Sequence, residues 1–182
     1  ARRINPLNQI FYYWEARNYM MLDKKEGDPG YAEKAGLLLE RAIDLAPYSW
    51  EYYSACGQLH LNAGDWDAAE AWFREAMGYS AYRVEPYMYL GLVCMKKGDT
   101  MGAKEIWTEG LGYADFNLRN KDNTETDVYI HLAYMHMWLA DIYSGGGDGA
   151  EAQRHVDAVN ELIEGNPEIG DALSSLLGER AD

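Results

Sequence analysis

The sequence predicts an all-α fold, a solenoid of antiparallel helix hairpins. Three observations lead there. The first is an internal repeat: "GDWDAAEAWFREAMGYS" at 64–80 returns as "GDTMGAKEIWTEGLGYA" at 98–114, an offset of 34 residues (98 − 64). Gly64-Asp65 becomes Gly98-Asp99, Ala69 becomes Ala103, Phe73 becomes Trp107, and Gly78-Tyr79 becomes Gly112-Tyr113. The second is composition. Ala, Leu, Glu, Met and Tyr dominate, β-branched residues are sparse and only five Pro occur, a balance that favours helices. The third is segment length: stretches between turn signals run roughly 12 to 18 residues, too long for ordinary strands.

The turns are read from four Gly-Asp pairs, Gly27-Asp28, Gly64-Asp65, Gly98-Asp99 and Gly147-Asp148. Gly ends a helix by accepting a left-handed backbone, and Asp caps the next helix by accepting from its free N–H groups. On these signals the first hairpin pairs helices at about 7–23 and 31–46 across a longer turn, "KKEGDPG". The second pairs about 50–63 with 66–79, and the third about 85–97 with 100–113. The fourth pairs about 125–144 with 148–164, and a last helix covers about 168–179. The predicted hairpins thus span about 7–46, 50–79, 85–113 and 125–164 of a single domain over 1–182. Pro47 and Pro86 punctuate the junctions. The link "ADFNLRNKDNTET" breaks the period, and part of it is expected to extend the following helix.

Bulk composition excludes several functions. The net charge is −14. Residues 1–60 hold seven Lys/Arg against eight Asp/Glu, and residues 61–182 hold nine against twenty-two. A field of that sign repels phosphate backbones, so no nucleic-acid partner is expected. No apolar run reaches the roughly 18 residues that cross a bilayer, so no direct membrane insertion is expected. The first residue is not Met, which leads us to expect a longer or processed protein, and the compartment stays open. Cys56 and Cys94 sit among apolar neighbours and read as buried structural thiols.

The hairpin pattern resembles the tetratricopeptide repeat. The second hairpin carries Tyr53, Gly57, Gly64, Ala69, Phe73 and Ala76, and the third carries Tyr87, Gly91, Gly98, Ala103, Trp107 and Gly110. The first fits with Tyr12, Ala16, Tyr19, Ala35, Leu39, Ala42 and Pro47 once its turn is allowed for. The fourth fits loosely with Ala140, Tyr143, Gly147, Ala152 and Val156, with His136 in place of its first aromatic. Small residues let paired helices approach, and Phe73 and Trp107 fill the gap toward the next hairpin. "DALSSLLGER" reads as the capping helix such arrays need.

The resemblance implies a right-handed superhelix whose first helices line a concave groove for an extended or helical peptide. Carried over, the lining is Tyr13, Arg17 and Met20 from the first hairpin and Glu51, Ser54, Gln58, Leu61 and Asn62 from the second. The third supplies Glu85, Met88, Leu92, Met95 and Lys96, and the fourth Tyr134, Met137 and Asp141. The methionines would make an adaptable wall for an apolar or amphipathic segment. Arrays that clamp chaperone C-termini use Lys, Asn and Arg at places held here by Tyr13, Arg17, Ala55, Glu85 and Tyr89; one cation beside Glu85 argues against a carboxylate ligand.

Catalytic and metal signals are weak. His131 and His136 are five apart and fall on different helix faces, and no metal or cofactor is expected. "SGGGDGAEA" follows a helix and lacks the P-loop Lys. "NKDNTETD" offers capping residues more than a calcium loop. No nucleophile is paired with a base, so no enzyme activity is expected. The expected function is a non-catalytic scaffold for a protein or peptide segment. The alternative is an accessory domain of a bacterial envelope polysaccharide-assembly or export protein, contacting saccharide through some of the fifteen Tyr and six Trp. Self-association is a further possibility.

Overall fold

The computed structural model describes residues 7–119 and 126–178 of the 182-residue chain. Among the described residues there are helices and short turns and no strand. The helices are α1 (Leu7–Glu26), α2 (Pro29–Leu45), α3 (Trp50–Asn62), α4 (Trp66–Tyr79), α5 (Val84–Lys96), α6 (Thr100–Leu111), α7 (Ala114–Arg119), α8 (Thr126–Gly145), α9 (Gly149–Gly165) and α10 (Glu168–Gly178). The principal pairings join α1 to α2, α3 to α4, α5 to α6, and α8 to α9. The chain divides into two compact units, Ala1–Ala81 and Tyr82–Asp182.

The four Gly-Asp turns form as their chemistry dictates. Gly27, Gly64, Gly98 and Gly147 have φ of 68°, 76°, 80° and 83°, the left-handed region that only Gly enters cheaply. Each following Asp caps the next helix: Asp28 accepts from Gly30 N at 2.9 Å, Asp65 from Ala68 N at 3.3 Å, Asp99 from Gly102 N at 2.8 Å and Asp148 from Glu151 N at 3.1 Å. Three of the turns add the backbone bond that closes a Schellman motif: Asp65 N donates to His60 O, Asp99 N to Cys94 O and Asp148 N to Tyr143 O.

Three expectations need correction. The first turn is as short as the others: α1 continues through Lys24-Lys25-Glu26, and only Gly27-Asp28 separates it from α2. Lys24 and Lys25 occupy its last turn, where cations suit the helix dipole. Pro86 lies within the first turn of α5, where a missing N–H breaks no helical bond. The start of the link after the third hairpin, Ala114–Arg119, forms a separate helix, α7, while Thr126 at its end opens α8. Most of residues 120–127, weighed above for calcium, lies outside the described residues, as does position 179 at the expected end of the last helix.

In the first unit α3 is covered by α1, α2 and α4, and its residues Tyr52 to Gln58 are all buried. Ala16, Met20, Ala35, Leu39, Ala55 and Cys56 form one apolar cluster. Small residues set the helix separations. A Cβ on Gly57 would meet Phe73 at 2.6 Å, so that ring occupies the space Gly57 leaves open. In the second unit α8 packs on both α5 and α6, and α10 covers α8 and α9 with buried Ile169 and Leu173. Trp107 fills the centre: its Nε1 donates to Met88 O at 3.0 Å and its ring stacks on Trp138 at 5.9 Å.

Candidate partner-binding surface

The residues expected to line a groove fall into two groups. Met20, Ser54, Gln58 and Met88 are buried, Ser54 completely. Tyr13, Arg17, Glu51, Leu61, Glu85, Leu92, Met95, Tyr134 and Met137 are half-buried, and Asn62, Lys96 and Asp141 are exposed. The buried four act as packing in this structure. One helical position moves a side chain about a quarter turn, so core and lining lie close together in sequence.

On α1, Arg17 Nη1 donates to Tyr13 OH at 3.5 Å, and its guanidinium lies 6.0 Å from the Tyr13 ring centre. Tyr13 leans on Tyr52 of α3 at 5.3 Å, which fixes one edge of the first unit's surface. In the second unit the two first helices, α5 and α8, pack side by side, with Tyr89 against His131 at 6.0 Å. This pairing brings the helix that carries Leu92 and Met95 beside the helix that carries Tyr134 and Met137. Glu85, Lys96 and Asp141 supply charge of both signs on the same two helices.

Several titrating groups are shifted, mostly by burial. Burial pushes the Cys56 thiol up to about 12, with Glu40 adding to the effect. Burial also raises the Tyr87 hydroxyl, aided by Glu109, to which Tyr87 OH donates at 3.3 Å. Burial and the neighbouring His155 ring hold His136 down at about 4, and burial lowers His155 against a smaller opposing pull from Glu151. Both cysteines are free and buried, as expected.

Two features escaped the sequence reading. Exposed Phe11, Trp14 and Met21 lie on α1. His136 and His155 meet across the fourth hairpin, Nδ1 to Nδ1, at 2.8 Å. The second was legible in principle, because the two histidines straddle the Gly146-Gly147 turn almost symmetrically, although they lie on different helices.

Paired helices, left-handed Gly hinges, Asp caps and small-for-aromatic packing define a helical-repeat scaffold. The second and fourth hairpins match the family model described as "Tetratricopeptide repeat", over residues 50–75 and 133–158. Solved structures agree on the fold. "Crystal structure of MamA" superposes with a TM-score of 0.60 at 20% identity, over 90% of this chain and 83% of that one. "Crystal structure of MamA protein" gives 0.56 at 19%, over 90% and 77%. A MamA structure from AMB-1 gives 0.51 at 20%, over 81% and 76%. No curated protein matches the chain in sequence.

Proposed function

We propose that this chain is a scaffold that holds a protein segment against the first helices of its hairpins, with α5 and α8 of the second unit as the principal docking face. The observation that carries the reading is the adjacency of α5 and α8. Half-buried Leu92, Met95, Tyr134 and Met137 offer apolar contact that is open in part to solvent. Unbranched Met side chains adapt to varied apolar partners. Glu85, Lys96 and Asp141 would fix the register of a segment with mixed charge. An amphipathic helix or extended strand of apolar character suits that set.

The test compares wild type with a Leu92→Asp/Met95→Asp variant. Each serves as immobilised bait for a displayed library of short peptides, with circular dichroism as the folding control. Selection of apolar or amphipathic sequences by wild type, lost in a variant of unchanged helicity, supports the site. Equal selection by both refutes it. The saccharide reading draws on exposed aromatics, Trp14 at 59% and Tyr48 at 81% exposure. A change in Trp fluorescence on titrating oligosaccharides would favour it, and a flat response would count against it.

A further inference from the structure

We propose that the His136–His155 contact is a proton-operated latch, which holds α9 on α8 while both rings are neutral and lets the hairpin loosen on acidification. The rings come from opposite helices of one hairpin, with Nδ1 atoms 2.8 Å apart and ring centres 5.1 Å apart. A contact that short between two nitrogens needs one to donate and the other to accept. Two imidazolium rings present two N–H groups and two positive charges to each other, so the doubly protonated pair repels.

The surroundings disfavour charge on the pair. His155 stacks on Tyr143 of α8 at 5.5 Å, and Lys104 Nζ of α6 lies 4.1 Å from the centre of that same Tyr143 ring. A cation therefore already occupies the tyrosine π-system. The carboxylate acting on His155 is Glu151 of α9, which is itself paired with Arg154. Among the described residues no third His, Cys, Asp or Glu joins the pair to make a metal site. A proton on either ring raises the cost of a proton on the other.

The direction follows from linkage. His136 is held at about 4 in the folded chain against an ordinary 6.5, so the open form binds protons more readily. Closure is complete above about pH 6.5 and weakens as pH falls toward 4. At pH 5 the shift on His136 alone corresponds to an opening equilibrium about twentyfold larger than at neutral pH. The proposal concerns hairpin closure and stands whether or not the α5–α8 face binds a partner.

Hydrogen exchange on the full chain at pH 7.5 and pH 5, corrected for intrinsic rates, tests it. The α1–α2 hairpin, which contains no histidine, serves as the reference. Protection of α8–α9 should fall tenfold or more relative to α1–α2, and a His136→Asn/His155→Asn variant should show no such fall. A smaller wild-type loss, or the same loss in the variant, overturns the latch. If the variant does not fold, NMR titration of the native His136 ring decides. A midpoint at least one unit below 6.5 supports the proposal, and anything higher overturns it.

Discussion

A Cβ on Gly91 of α5 would lie 2.1 Å from Nε1 of Trp107 on α6, an approach no real side chain makes. The indole nitrogen is held there by its bond to Met88 O. The ring cannot retreat, because Trp138 stacks on it. Gly91→Ala should therefore cost about 3 kcal/mol or more, at the upper end for overpacking. Gly57→Ala should behave similarly against Phe73, on the other unit. Urea denaturation followed by circular dichroism measures both. A loss below about 0.5 kcal/mol, in the range of neutral surface changes, would show the gap is not needed.

The hinges should respond separately. Asp99→Ala removes the acceptor for Gly102 N and should cost about 1 kcal/mol. Gly98→Ala forces a side chain into φ of 80° and should cost about 1–2 kcal/mol. The open space around Gly98 means that any loss there is conformational strain and not a clash. The same denaturation curves check both values.

Cys56 should be chemically silent in the folded protein. Its thiol is buried and held at about 12, so the reactive thiolate is scarce at pH 8. Ellman's reagent should react with Cys56 only as the chain unfolds, at the rate of unfolding. Immediate reaction of Cys56 in native protein, read by mass spectrometry of the labelled peptide, would contradict its burial.

Met88 and Leu92 should part company. They are four residues apart on α5, yet Met88 is 7% exposed and Leu92 is half-buried. Met88→Asp places an unpaired charge in the second unit's core and should cost about 3–5 kcal/mol, on the scale of leaving a buried charge uncompensated. Leu92→Asp should leave the fold in place and reduce peptide capture. Equal destabilisation by the two would mean that Leu92 is core as well.

The hinges were the most legible part of the fold. Four of the five Gly-Asp pairs adopt the left-handed backbone that ends a helix, whereas Gly170-Asp171 lies within α10. Helix ends were less legible at Glu26, because Lys24 and Lys25 read equally well as loop or as last turn. The prospective surface was legible only as a set of first-helix positions. Whether Met20 or Met88 faces outward depends on which neighbour covers it, and no residue on its own helix says so. The histidine pair depends on contact between two helices, which becomes visible once the hairpin is folded around Gly146-Gly147.

The central claim is that first-helix faces receive the partner. Site-specific photocrosslinking in living cells tests it most directly. A benzophenone amino acid is placed at 92, 95 or 137 on α5 and α8, or at 101 or 156 on α6 and α9, where Met101 and Val156 are exposed. Protein adducts confined to 92, 95 and 137 are the predicted result. Adducts at 101 or 156 with none at the first-helix positions would contradict the account.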